Sequence, residues 1–182
     1  MKFHKTDLQD ALLIELEERG DERGFFARSM CQDEFTAAGM IPAYVQQNVS
    51  MSAHKGTVRG MHFQRAPHSE AKLIRCVRGA ILDVIVDLRP ASPSYMRSEA
   101  FLLDDRDRRQ LYVPPGFAHG FQTLTDDVEV TYLVSALYTP SSEGGLRHDD
   151  PELGIAWPLV ATVVSPKDAA WPLIDRAALP AL

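Results

Sequence analysis

Two runs in this chain alternate apolar and polar residues with a period of two. From Ala80 it reads Ala-Ile-Leu-Asp-Val-Ile-Val-Asp-Leu-Arg, and from Val128 it reads Val-Glu-Val-Thr-Tyr-Leu-Val. Successive side chains of a strand point to opposite faces, so such a run specifies a strand and excludes a helix. In the first run Ala80, Leu82, Val84, Val86 and Leu88 share one face, Asp83, Asp87 and Arg89 take the other, and Arg89-Pro90-Ala91-Ser92-Pro93 closes the strand as a turn. In the second, Tyr132 shares a face with Val128, Val130 and Val134 and is expected to look inward. Further strands are predicted at residues 12–16, 24–30, 43–50, 59–64, 72–78, 99–103, 110–113 and 121–124. Strands this short and numerous, punctuated by Gly, Pro and Asp, predict an all-β sandwich or barrel. One short helix is predicted at 33–38, with Asp33 capping it and Gly39 ending it. From Asp150 onward the proline-punctuated chain reads as loops and short turns.

A length of 182 residues suits one domain, because halves of that size would each bury a marginal core. A formal net charge of −6 argues against a general nucleic-acid binder, which needs surplus Lys and Arg to displace phosphate counterions. A basic pocket inside an acidic whole stays compatible with that balance, since Arg23, Arg28, Arg59, Lys72, Arg75 and Arg78 gather in the first half. No apolar stretch approaches the roughly 20 residues of a membrane span, and the N-terminus lacks a secretory core. A cytoplasmic protein without a membrane partner is therefore expected. Cys31 and Cys76 lie far apart in apolar surroundings and are expected to be buried free thiols.

Side chains able to do chemistry concentrate in Gln46-Gln47-Asn48, Arg59-Gly60-Met61-His62-Phe63-Gln64, Lys72, and Pro114-Pro115-Gly116-Phe117-Ala118-His119-Gly120-Phe121. A histidine alone among apolar neighbours is ordinarily a packed residue, so His62 and His119 gain meaning only from their company. The segment ending in His119 resembles the second motif of cupins, small barrels that often bind a metal. A cupin metal site also needs a His-X-His pair, whereas this chain reads His62-Phe63-Gln64 and carries Thr123 four residues after His119. Too few ligands remain for a closed site, and no catalytic metal is expected. An enolate would then be stabilised by lysine, histidine and tyrosine donors.

Several segments, in this order, resemble the motif series of the dTDP-4-dehydrorhamnose 3,5-epimerase family. They are Asp21-Glu22-Arg23-Gly24-Phe25-Phe26, Gln46-Gln47-Asn48-Val49-Ser50, Val58-Arg59-Gly60-Met61-His62-Phe63-Gln64, Ala71-Lys72-Leu73, Asp83-Val84-Ile85-Val86-Asp87-Leu88-Arg89, Pro115-Gly116-Phe117-Ala118-His119-Gly120-Phe121 and Asp149-Asp150-Pro151. The resemblance spans about Asp21 to Asp168. It implies a cupin-like jelly-roll barrel with few short helices, a homodimer, a nucleotide-sugar substrate, and epimerisation beside a ketone without a cofactor.

Carried over position by position, the resemblance makes His62 the base, Asp168 the carboxylate orienting its ring, and Tyr132 the proton donor to the opposite face. Lys72, with His119 close by, would stabilise charge on the ketone oxygen. Arg23 and Arg59 would hold the diphosphate, Phe26 and Tyr138 would lie near the base, and Gln46, Asn48 and Glu143 would make polar contacts. The chain departs from the family at Arg28, where a glutamate usually accepts from thymine. An arginine donor there suits the unprotonated N3 of cytosine, so a CDP-linked substrate is one alternative. Tyr95-Met96-Arg97 and His148 stand where glycine and tryptophan are frequent. Inversion at a single centre is a second alternative. A non-catalytic sugar-nucleotide-binding cupin is a third, but it gives no reason for base, acid and enolate donor to occur together. A metal-dependent oxygenase and a ketoisomerase rank below these.

Overall fold

The computed structural model describes residues 1–175. In chain order its strands are β1 (Lys2–Lys5), β2 (Leu12–Glu15), β3 (Arg19–Asp21), β4 (Gly24–Phe26), β5 (Gln46–Ser52), β6 (Thr57–Gln64), β7 (Lys72–Arg78), β8 (Ala80–Asp87), β9 (Ser98–Asp104), β10 (Gln110–Val113), β11 (Phe117–Thr123), β12 (Val128–Val134), β13 (Glu143–Gly145) and β14 (Val163–Val164). Helix α1 (Gln32–Ala37) follows β4, and α2 (Pro166–Ala169) follows β14. One sheet runs β1-β2-β10-β7-β12-β5 and the other β13-β6-β11-β8-β9, with β14 added parallel to β6. The strands β3 and β4 form a separate hairpin.

The sheets face each other and share a core, which makes the molecule an all-β jelly-roll barrel. Ile74 and Cys76 of β7, Leu111 of β10 and Val130 of β12 meet Ile81 and Ile85 of β8, Leu103 of β9 and Phe121 of β11. Both outer faces are also covered. Phe35 of α1 and Met40 pack with Ile14, Leu73 and Tyr112 over the first sheet. Leu146 and Leu153, with Trp157 beside them, pack on Met61, Phe63, Val84 and Val86 of the second. Burying a side chain such as Phe35 contributes about 1.5–3 kcal/mol.

This double coverage decides how the β8 run is oriented. Its aliphatic face, Val84 and Val86, lies outward under the later chain. Ile81 and Ile85, with Asp83 between them, turn into the barrel, and Asp83 and Asp87 are both fully buried. The alternation separated the faces correctly without indicating which one meets the interior.

Strands at 72–78, 110–113 and 128–134 have the predicted bounds, and Gly39 ends α1 with its N–H on Thr36 O at 3.1 Å. Asp33 is not the cap: Cys31 holds that position and makes no side-chain capping bond, while Asp33 sits in the first turn. The strand predicted at 24–30 stops at Phe26, and β11 starts at Phe117 rather than 121. Both cysteines are free, but only Cys76 is buried, since Cys31 is partly exposed at the start of α1. No helix among the described residues is long and apolar enough to cross a membrane.

Candidate active site

A cavity of two lobes opens between the sheets, of about 420 Å³ and 320 Å³, and His62, Lys72 and Tyr132 line both. The sheets place these residues on opposing walls. His62 on β6 and His119 on β11 are direct cross-strand partners in one sheet. Facing them, Tyr132 on β12 pairs with Ile74 of β7, the strand that Lys72 begins. Close approach of β6 and β11 requires glycine. At Gly60, φ is +126° and a Cβ would lie 2.5 Å from Gly120 Cα, so no other residue fits without moving backbone.

Asp168 reaches this wall from α2. Its Oδ1 lies 2.6 Å from His62 Nε2, and its Oδ2 accepts from Gly60 N at 3.3 Å. Ser165 Oγ caps the helix by accepting the Asp168 N–H at 3.0 Å. Burial raises the pKa of Asp168, but the hydrogen bond and charge of His62, with Gly60 and Ser165, outweigh it and hold the carboxyl below its ordinary value. An ionised carboxylate only accepts, so in the neutral tautomer that fits this contact the proton is on Nε2 and the lone pair on Nδ1. The pair is therefore a backed imidazole able to take up a proton.

A second such pair lies deeper. His119 Nε2 is 3.0 Å from Asp83 Oδ2. Burial of Asp83 raises its pKa despite the opposing influence of His119 and Lys72. Across the cavity, burial raises the Tyr132 pKa, the negative charge of Glu70 adds to it, and Arg59 opposes. That phenol remains protonated over a wide pH range, as a proton donor must. Lys72 is buried, with its Nζ 3.2 Å from Glu70 Oε1.

The predicted catalytic positions His62, Lys72, His119, Tyr132 and Asp168 all line this space. Of the predicted binding residues, Arg59 lines one lobe, and Gln46, Asn48, Tyr138 and Glu143 line the other. Tyr138 OH donates to Glu143 Oε2 at 2.9 Å, and Lys167 also pairs with Glu143. Arg23 and Phe26 lie elsewhere, on the exposed β3–β4 hairpin, where Arg23 pairs with Asp21. Arg28 donates to Glu34 Oε1 at 2.6 Å and does not line the cavity. Of the six first-half cations, only Arg59 and Lys72 reach it.

Sequence reading missed Glu70, Asp83 and Lys167 as site residues. Glu70 carried a usable signal, since two residues before Lys72 in a strand is the same face. Asp83 carried none, because its face could not be oriented before the outer cover was known. Among the described residues, no group of three or more His, Cys, Asp or Glu side chains is placed to hold a metal ion.

The sequence profile described as dTDP-4-dehydrorhamnose 3,5-epimerase matches residues 5–176. The dTDP-4-dehydrorhamnose 3,5-epimerase of Salmonella typhimurium is 43% identical over 177 residues, 96% of each chain. A crystal structure of the Bacillus anthracis enzyme of that name, with TDP and PPi bound, superposes with a TM-score of 0.92 at 43% identity, covering 95% of this chain and 99% of that one. The dTDP-4-dehydrorhamnose 3-epimerase of Streptomyces niveus is 40% identical over 169 residues, 92% of this chain and 81% of the other.

Proposed function

The chain belongs to the dTDP-4-dehydrorhamnose 3,5-epimerase family, and on that premise we propose that it inverts C3 and C5 of a dTDP-linked 4-keto-6-deoxyhexose without a cofactor. The observation that carries this reading is the placement of His62, backed by Asp168, and Tyr132 on opposite sheets across one cavity, with Lys72 and His119 also lining it. The C4 ketone acidifies the protons on C3 and C5. His62 Nδ1 takes one of them, and the electron pair moves onto the C4 oxygen as an enolate. Lys72 and His119 stabilise that charge in a site partly withdrawn from water. Tyr132 then returns a proton from the other wall, and the centre is inverted. Asp168 holds the imidazole and balances the imidazolium while it exists.

The sugar lies against the histidines, with the nucleotide reaching Arg59 in one lobe and Gln46, Asn48, Tyr138 and Glu143 in the other. Arg23 and Phe26 complete the nucleotide site of a second copy in a homodimer. Support comes from their exposed hairpin, with Phe26 71% exposed, and from the exposed Val49 and Met51 on β5, a sheet-edge strand. The chain acts as one domain, since both sheets enclose the same cavity, and it works in the cytoplasm, where nucleotide sugars are made. The engagement of Arg28 by Glu34 takes its guanidinium away from base recognition, which leaves a thymine nucleotide the favoured one over cytidine. A single-centre reaction is the second reading, supported by the likeness to the Streptomyces 3-epimerase.

Proton NMR of dTDP-4-keto-6-deoxyglucose in deuterium oxide tests the proposal. Exchange at C3 and C5 is expected, abolished in His62→Ala, while Tyr132→Phe keeps exchange but loses inversion. Exchange at one carbon alone would establish the single-centre reading. No exchange at either carbon would refute both.

A further inference from the structure

We propose that Glu70 is a positioning residue for Lys72, its carboxylate fixing the ammonium at the point where enolate charge develops. The inference rests on the epimerase reading of this site. Glu70 precedes β7 by two residues and so shares a side with Lys72, while the intervening Ala71 packs in the outer cluster with Phe35 and Leu73. Its Oε1 is 3.2 Å from Lys72 Nζ, and Gln64 Nε2 donates to its Oε2 at 3.0 Å.

Gln64 is itself immobilised. It is 4% exposed, its Oε1 accepts from Thr139 N at 2.7 Å, and its Nε2 also donates to His68 O at 3.1 Å. The end of β6 therefore clamps Glu70, and Glu70 in turn holds the lysine. Free lysine side chains are flexible and carry about 2 kcal/mol of rotamer entropy. An ammonium that must meet an oxyanion gains from being ordered before substrate arrives. The carboxylate also supplies a counter-charge for a lysine that is only 9% exposed.

The test uses Glu70→Gln, which keeps the side-chain volume and an amide oxygen for Gln64 but removes the ion pair. It is compared with Lys72→Ala and the double variant by exchange of the C3 and C5 protons. The expected result is a fall in kcat of about tenfold or more, with KM changed by less than about twofold. The melting temperature is expected to stay within about 2 °C. Because Glu70 acts through Lys72, Glu70→Gln should add no further loss in the Lys72→Ala background. Wild-type kcat in Glu70→Gln, an equal loss in both backgrounds, or a loss confined to KM and melting temperature would each overturn the inference. If Lys72→Ala shows no residual exchange, the split between kcat and KM decides. A wild-type enzyme that exchanges neither proton would instead sink the epimerase reading, and the inference with it.

Discussion

At the scale of single residues, the site consists of two histidine–carboxylate pairs held in different electrostatic environments. Asp168 is held below its ordinary pKa and Asp83 is pushed above it, because His62 and the Gly60 N–H outweigh burial in the first case and burial prevails in the second. For Asp168 the sign is that of a stabilised anion. Its contribution to stability is present above the unfolded-state value of about 3.9 and is lost as pH falls through the lower folded value. Asp168→Asn is expected to lower kcat by about 10²- to 10⁴-fold. Its deficit in melting temperature relative to wild type should shrink as pH drops below about 5, measured by calorimetry across pH. A constant deficit would mean that Asp168 contributes packing and no charge. His62, Lys72 and Asp168 were legible through their motif positions, and Tyr132 through alternation as well. Asp83 was not, because a carboxylate in a strand looks the same in sequence whether it meets solvent or a buried cation, and Glu70 was passed over although its spacing from Lys72 was there to read.

At the scale of elements, the site depends on pieces too short to announce themselves. Helix α2 has four residues and gains its place from the Ser165 cap, from β14 pairing parallel to β6, and from Trp171 lying over Gly145. A Cβ on Gly145 would come within 2.1 Å of the Trp171 ring, and Gly145 pairs directly with His62. Gly145→Ala is therefore expected to displace Trp171 and loosen α2, at about 1–3 kcal/mol of stability. That corresponds to about 3–10 °C in melting temperature. Thermal shift and kcat measured on the same preparation check it, and unchanged values in both would show that Trp171 does not hold Asp168 in place. Strands β7 and β12 were read with their observed bounds because each runs for seven residues, and the four-residue β10 because a charged run precedes it and Pro114 ends it. Strands β1, β3, β13 and β14 were not, since two to four residues define no period and their pairing is decided by distant chain.

At the scale of the molecule, the all-β class followed from many short strands, whereas the second layer of burial did not follow from anything local. The cover over the second sheet includes Leu146 and, from the chain read as loops and turns from residue 150 on, Leu153 and Trp157. Assembly belongs to the same scale. If the β3–β4 hairpin serves a second copy, light scattering should give twice the 20.3 kDa of one chain. Phe26→Asp should then weaken association and activity together, with activity regained as protein concentration rises. A fully active monomer would refute the shared site.

The carboxylate behind His62 arrives 106 residues later in the chain, beyond an exposed strip at residues 160–163. Scaffold and reactivity are consequently severable. A protease nick there would leave strands β1–β13 and the core between the sheets in place, yet sever from them the short piece that carries β14 and Asp168. The barrel would persist as a folded but inert shell, and a peptide bearing the severed segment could dock beside β6 and switch it on again.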